Sequence, residues 1–221
     1  MLNDDKRDIA IVVAGGSGQR MHSAVPKQFM ELCGRPVLYY SLAAYEKSQI
    51  DKVVLVCSPE YISLAQEFII GYGLRRTRKV VAGGAQRYDS VYEGLKAVNA
   101  LGAADYIQVH DAARPMLTPE MIDEMARAVR KERALVAGVP VKDTIKIADE
   151  DKIVTQTPSR RSLYSIQTPQ VFEYEELISA YEKMLSDPSR EDITDDASVI
   201  EKYGSSRIHI FDSSYENIKL T

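Results

Sequence analysis

Short apolar runs rich in valine and isoleucine alternate along this chain with segments of helical periodicity. We predict strands for five of these runs, at 8–14, 52–58, 77–83, 105–111 and 134–141. The segments between them repeat apolar residues every three or four positions, which predicts helices at 36–48, 59–73, 86–100 and 118–132. Because parallel strands need helical crossovers, this repetition predicts an α/β fold whose mostly parallel, twisted sheet is covered by helices on both faces.

The alternation stops near residue 141. Two β-branched runs then flank the acidic cluster "ADED" and predict a hairpin that projects from the sheet, a feature that commonly serves an oligomer contact. Two more helices are predicted at 173–187 and 192–204, the second capped by Thr194 or Asp192, and two closing strands at 206–214 and 216–221. We therefore expect one Rossmann-like α/β domain spanning 1–221, with a protruding β-arm at about 141–170.

Charge and cysteine content limit the classes of function. The chain has 28 basic and 32 acidic residues, a net charge of −4, which argues against general binding to nucleic acid or to a membrane surface. No apolar run approaches the ~20 residues that span a bilayer, and the charged start "MLNDDKRD" does not resemble a signal peptide. Cys33 and Cys57 lack a partner at zinc-ligand spacing, so we expect buried, reduced thiols in a cytoplasmic protein.

A glycine-rich turn follows the first predicted strand, in "IAIVVAGGSGQRMHSAVPKQF" at 9–29. Glycines let backbone N–H groups approach an anion closely, although the same residues also suit a tight strand-to-helix turn. A Walker loop would need Gly-Lys-Ser/Thr, and a dinucleotide fingerprint would need glycine where Met21 stands. Arg20 and Lys27 beside the turn suit an extended polyphosphate, unless they are ordinary surface charges.

Motifs in every segment carry a family resemblance. The opening motif resembles nucleotidyltransferases that activate sugars and polyols. It is followed in order by "VAGGAQRYDSVYEGL", "VHDAARP", "PVKDTIK", "QTPQVF", "TDDASVIE" and "NIKLT", as in the 2-C-methyl-D-erythritol 4-phosphate cytidylyltransferases. The resemblance implies transfer of a cytidylyl group from CTP to a polyol phosphate, with Mg²⁺ or another divalent cation. It also implies a homodimer in which the arm of one subunit reaches toward the site of the other.

The resemblance also assigns roles to individual positions. The implied catalytic residues are Arg20, Lys27 and Lys219. The implied CTP-binding residues are Ala14, Gly15, Gly16, Gly84, Ala85 and Ser90. The implied substrate-binding residues are Asp111, Arg114, Thr144, Arg160 and Thr168. Phosphate oxygens would supply most of the metal ligands, and Asp111 is the one candidate ligand from the protein. We expect Arg160 rather than Arg161 to bind the substrate, because neighbouring residues of an extended strand point to opposite faces.

The residues leave several roles open. Lys219 read alone is a surface lysine, Arg114 binds substrate or orders its loop, and Arg87 orders the nucleotide loop or lies on a helix face. His110 beside Asp111 suggests either a structural hydrogen-bonding residue or a metal site, although no further ligand has suitable spacing.

Alternative functions are also open. A ribitol 5-phosphate cytidylyltransferase would perform the same chemistry on a longer polyol. A catalytically idle nucleotide-binding module is a rival from another class, weakened because the expected cationic residues are present. The missing third glycine, together with Arg20 and Lys27, argues against a dehydrogenase.

Overall fold

Seven strands form one central sheet in the computed structural model, which describes residues 5–15, 25–102, 104–190 and 193–221. The sheet order is β11-β7-β10-β6-β1-β4-β5, and every neighbouring pair is parallel except those of β10, which is antiparallel to both β6 and β7. The strands of this sheet are β1 (Asp8–Ala14), β4 (Lys52–Cys57), β5 (Thr77–Ala82), β6 (Tyr106–Asp111), β7 (Ala134–Pro140), β10 (Tyr164–Glu173) and β11 (His209–Asp212). The prediction of a mostly parallel α/β sheet is confirmed.

Two small antiparallel pairs lie outside the main sheet. The first precedes the first helix, and the second forms the tip of the arm. Their strands are β2 (Glu31–Leu32), β3 (Arg35–Pro36), β8 (Ile147–Ala148) and β9 (Val154–Gln156).

Helices cover both faces of the sheet, as predicted. One apolar cluster joins Ile11 and Val54 of the strands to the third and fifth helices, and a second joins Val12 and Leu55 to the first, second and fourth. Neighbouring residues of one strand thus enter different cores, which is why the strands are apolar throughout. The helices are α1 (Val37–Lys47), α2 (Ile62–Gly71), α3 (Arg87–Asn99), α4 (Pro119–Glu132), α5 (Tyr174–Ser186) and α6 (Asp196–Tyr203).

Local signals for helix ends are confirmed at α4 and α2 but not at α6. The Thr118 hydroxyl accepts a hydrogen bond from the Met121 N–H at 3.3 Å, and Gly73 after α2 has φ +67°. The predicted cap Thr194 is wrong, and Asp192 lies outside the described residues. Asp195 caps α6 instead, because its carboxylate accepts the Ser198 N–H at 2.9 Å.

The structure corrects three further predictions. Residues 216–221 form no strand, although Leu220 donates one backbone hydrogen bond to Ala113 at 2.9 Å. The segment from Tyr164 onward belongs to the main sheet as β10, which the prediction of an arm up to about residue 170 did not include, although its first three residues are exposed. Cys33 is exposed on a turn, whereas Cys57 is buried in β4, and neither forms a disulfide.

The strand order places a crevice beside β1. The chain runs from β1 to β4 and β5 on one side and then returns to β6 on the other. At such a switch point the loops that follow the two central strands separate, which opens a ligand crevice at their carboxyl ends. No helix in the described ranges is long and apolar enough to cross a bilayer.

Candidate active site

A cleft with a volume of about 320 Å³ opens at the carboxyl ends of β1 and β6. Six parts of the chain build it: the ends of both strands, the turn at Lys27, the loop after β5, the start of α3 and the last residues. Its lining comprises Val13, Gly15, Lys27, Gln28, Gly84, Ala85, Gln86, Arg87, Ser90, Asp111, Ala113 and Lys219. Ala14 is buried behind this surface, and Gly16 lies outside the described residues.

Close backbone packing shapes the wall formed by the loop after β5. The Gly84 N–H donates a hydrogen bond to the Ser90 hydroxyl at 3.2 Å, which ties this loop to the first turn of α3. A Cβ on Gly84 would lie 2.3 Å from the Cβ of Asp89, and one on Gly83 would lie 2.6 Å from the Ser90 hydroxyl. A side chain at Gly84 would therefore clash with α3 and one at Gly83 would displace the Ser90 hydroxyl, so the backbone itself forms this wall of the cleft.

Lys27 reaches the cleft from a short 3-10 turn. Phe29 anchors the turn because its buried ring stacks on Tyr61 with centroids 4.6 Å apart. The Lys27 ammonium donates to the carbonyl of Leu220 at 2.5 Å, so it lies against the last residues of the chain. Arg20, the other cation predicted near the glycine turn, lies outside the described residues.

Lys219 approaches the cleft from the C-terminal segment. Its ammonium is 2.5 Å from Oδ2 of Asp111. The contacts that hold this segment include the Leu220 hydrogen bond to Ala113 and a bond of 2.6 Å from Nη1 of Arg114 to the carbonyl of Asn217. Two predicted catalytic lysines from opposite ends of the chain therefore line one cleft.

Asp111 is ionised and held from two sides. Its Oδ1 accepts a hydrogen bond from Nε of Arg87 at 3.2 Å, while Oδ2 accepts from Lys219. Burial by itself would raise the pKa of Asp111, but Arg87 and Lys219 outweigh that effect and hold the pKa well below its usual range. The carboxylate therefore keeps its negative charge at neutral pH.

Arg87 also makes a contact that sequence reasoning missed. Its Nη2 donates to Oδ2 of Asp196 at 2.8 Å, across 109 residues of sequence. No spacing rule connects residues so far apart, so only the fold reveals the pair. Neither reading of Arg87, as a residue that orders the nucleotide loop or as one that lies on a helix face, included its contacts with Asp111 and Asp196.

His110 and Thr168 form a buried pair under the cleft. The Thr168 hydroxyl lies 3.1 Å from Nδ1 of His110 and accepts the Asp111 N–H at 3.1 Å. Burial lowers the pKa of His110 to about 4, so the ring is neutral at physiological pH. The structural interpretation of His110 is therefore favoured. Thr168, predicted to grip the substrate, is only 5% exposed and uses its hydroxyl inside the protein.

The remaining predicted substrate residues lie away from the cleft lining. Arg114 is buried and supports the C-terminal segment, which favours the ordering role over substrate contact. Thr144 and Arg160 are exposed on the arm, where Nη1 of Arg160 donates to the carbonyl of Lys142 at 2.9 Å. Arg160 begins a 3-10 turn at 160–162, so our argument that Arg161 must point to the opposite face of a strand was wrong.

The protein groups at the cleft suit a polyanion better than a bare metal ion. Among the described residues, no three His, Cys, Asp or Glu side chains are grouped to hold a metal. Asp111 is the only acidic residue in the lining, and both of its oxygens already face cations. Glycine backbone, two lysines and Arg87 instead offer donors and positive charge.

Comparisons with known proteins identify the family of this chain. The family model "IspD: 2-C-methyl-D-erythritol 4-phosphate cytidylyltransferase" matches residues 9–221. Two proteins of that name are 44% and 43% identical to this chain over 213 residues. The one from Lachnospira eligens covers 96% of this chain and 92% of its own length, and the one from Lachnoclostridium phytofermentans covers 96% and 90%.

A solved structure agrees as well. The crystal structure of 4-diphosphocytidyl-2C-methyl-D-erythritol synthase from Anaerococcus prevotii superposes with a TM-score of 0.85 at 31% identity. The match covers 97% of this chain and 90% of that one. The family model over residues 9–221 and these relatives show that this chain belongs to the 2-C-methyl-D-erythritol 4-phosphate cytidylyltransferase family of nucleotidyltransferases.

Proposed function

We propose that this protein transfers the cytidylyl group of CTP to 2-C-methyl-D-erythritol 4-phosphate and releases diphosphate, a step in isoprenoid precursor synthesis. The observation that carries the proposal is the convergence of Lys27 and Lys219 on one glycine-walled cleft. Both reactants are anions that repel each other, so a site for this reaction must gather positive charge. Family membership names the reactants, and the cleft supplies the charges that they need.

The reaction needs no general base. The second pKa of a phosphate monoester is about 6, so the attacking oxygen is already ionised at neutral pH. That oxygen forms a bond to the α-phosphorus of CTP while the bond from this phosphorus to the bridging oxygen of the β-phosphate breaks. Diphosphate leaves with the electron pair. The ammonium groups of Lys27 and Lys219 stabilise the charge that develops on the phosphoryl oxygens, and Arg20 joins them by family resemblance.

The glycine wall suits a pyrimidine base. The backbone of Gly15, Gly84 and Ala85 lines this wall with main-chain groups and no bulky side chains, and the Ser90 hydroxyl, which holds the loop, lies beside them. We expect the main-chain groups of this wall to read the edge of cytosine. We assign these residues, with Ala14 and Gly16 by resemblance, to binding of CTP.

A divalent cation fits this cleft if it enters bound to the triphosphate of CTP. Mg²⁺ prefers oxygen ligands and commonly keeps waters and phosphate oxygens. Asp111 is the protein carboxylate that would hold the ion, and the same group is suited to the hydroxyls of the polyol. The cation would neutralise part of the charge on the phosphates of CTP.

Diphosphate release tests the proposed function directly. We expect release from CTP only when methylerythritol phosphate and Mg²⁺ are both present, and a much smaller kcat/KM with ribitol 5-phosphate. A clear preference for ribitol 5-phosphate would overturn the assigned substrate. The assay also tests the idle nucleotide-binding alternative, because such a module would bind CTP and release nothing.

The arm supports a proposal about assembly. Its apolar side chains are solvent-exposed, with Ile147 at 46%, Ile153 at 63% and Val154 at 54%. Apolar side chains grouped on a projecting hairpin are typical of a surface that a partner covers. We infer a homodimer in which the arm carries Thr144 and Arg160 to the phosphate of the substrate in the partner's site. A cytoplasmic location stays a prediction from the sequence.

Mixing two impaired variants, at a methylerythritol phosphate concentration too low to support Arg160→Ala alone, tests the shared site. Arg160→Ala is expected to raise the KM for methylerythritol phosphate, and Lys27→Ala to abolish turnover. After unfolding and refolding them together, each mixed dimer would hold one site with an intact Lys27 and an intact partner arm. About half of the dimers are mixed, so activity should recover to roughly a quarter of wild type.

A mixture that recovers no activity would contradict the shared site. If each arm serves its own subunit, every site in the mixture lacks one of the two residues and no activity returns. Sedimentation of the wild-type protein as a monomer at assay concentration would likewise contradict the shared site.

A further inference from the structure

Asp196 is a buried carboxylate that the reaction described above does not use. Its side chain is 0% exposed, and it sits at the first position of α6, where the helix dipole favours negative charge. Its Oδ1 accepts the Tyr181 hydroxyl at 2.6 Å, and its Oδ2 accepts Nη2 of Arg87 at 2.8 Å. Both oxygens are thus engaged, and the carboxylate is fixed in one orientation.

Arg87 links this buried group to the cleft. Its planar guanidinium places Nη2 on Asp196 and Nε on Oδ1 of Asp111, at 2.8 and 3.2 Å. Because a guanidinium is rigid, fixing the Nη2 edge also fixes the direction of Nε. Burial would lower the pKa of Arg87, but Asp196 and then Asp111 raise it well above the ordinary value.

The chain of contacts ends at a lysine with a proposed catalytic role. Asp111 uses Oδ1 for Arg87 and Oδ2 for Lys219, so the orientation of the carboxylate decides where the ammonium lies. From Asp196 to Lys219 the four charges alternate in sign and sum to zero. Removing the charge of Asp196 leaves Arg87 and Lys219 competing for the carboxylate of Asp111. This carboxylate then moves toward Arg87.

We propose that Asp196 is a positioning residue for cytidylyl transfer, which acts through Arg87 to orient Asp111 and thereby Lys219. The proposal rests on the proposed function, because it concerns the same cleft. It differs from a purely structural role for Asp196, in which the carboxylate would stabilise α6 and leave the cleft unchanged.

A double-mutant cycle on kcat/KM tests the proposal. Asp196→Asn is expected to lower kcat/KM about 10- to 100-fold, because small displacements of a reacting constellation have effects of this size. Arg87→Gln should lower it by at least as much. In the Arg87→Gln background, Asp196→Asn should have almost no further effect, since the residue through which it acts is gone. Losses that multiply would overturn the proposal, as would an Asp196→Asn enzyme within twofold of wild type.

A matched control separates positioning from stability. Asp8 forms another buried ion pair, with Nη2 of Arg130 at 2.8 Å, at the opposite end of β1 from the cleft. Asp8→Asn should lower the melting temperature as Asp196→Asn does but keep kcat/KM within twofold of wild type. An equal loss of kcat/KM in Asp8→Asn would contradict the proposal.

Two further measurements test the proposal if Asp196→Asn does not fold or if the wild-type protein shows no activity. Tyr181→Phe removes one hydrogen bond from Asp196 without removing a charge, and should lower kcat/KM a few-fold in a folded protein. Wild-type rates in Tyr181→Phe would contradict the inference.

If wild-type protein releases no diphosphate, the proposed function fails, and a crystal structure of Asp196→Asn decides the inference alone. Retained contacts from Arg87 and Lys219 to Asp111 would overturn it, and their loss would support it.

Discussion

Replacing Lys27 with alanine is expected to lower kcat about a thousandfold while the protein stays folded. The ammonium faces the cleft, and charge develops at the α-phosphorus as the new bond forms. An oriented cation stabilises this charge more in the transition state than in bound CTP, so its loss affects kcat more than KM. A thousandfold loss corresponds to about 4 kcal/mol of transition-state stabilisation.

The comparison for Lys27→Ala is an exposed lysine far from the cleft. Lys131 in α4 has an 87% exposed side chain and pairs with its neighbour Glu132. Lys131→Ala should retain the wild-type rate in the same diphosphate assay, and circular dichroism should show both variants folded. A Lys27→Ala enzyme within tenfold of wild type would remove Lys27 from the mechanism.

Replacing Lys219 with alanine should have the second-largest effect, a loss of about a hundredfold in kcat. Lys219 contributes a second ammonium, which its ion pair with Asp111 aims into the cleft. Without it, Asp111 keeps only Arg87, so transition-state charge is stabilised less and the carboxylate is held less firmly. Steady-state kinetics with both substrates measure this change.

Ile218→Ala is the matched variant for Lys219→Ala. Ile218 precedes Lys219 in the same segment and is 51% exposed, so truncating it perturbs the backbone similarly without removing a charge. Near-normal turnover by Ile218→Ala beside a large loss in Lys219→Ala assigns the effect to the ammonium. Equal losses in both variants would instead attribute it to the segment as a whole.

Much of the fold could be predicted because it depends on local patterns. The strand at 8–14 matches the structure at both ends, and the helices at 118–132 and 86–100 are correct to within one residue. Buried parallel strands are apolar on both faces, and helices show their periodicity, so neither needs knowledge of distant residues.

The errors occur where pairing between distant segments decides the structure. β10 contains Pro169 and several polar residues, which resemble the neighbouring arm more than a central strand. It forms a strand because it lies between β6 and β7 and its backbone makes hydrogen bonds to both. Residues 216–221 have strand-like composition but find no strand to pair with, and their backbone binds the loop at Ala113 instead.

For the site, the types of residue and their order were predictable without the fold: a glycine turn, Lys27, the loop at Gly84, Asp111 and Lys219. Motif resemblance then named the reaction. The folded chain was needed to show which of these residues face a common cleft, that Thr168 and Arg114 support it from within, and that Arg87 connects Asp111 to Asp196. These contacts could not be predicted because side-chain electrostatics act over a few ångströms, and 193 residues separate Lys27 from the carbonyl it contacts at Leu220.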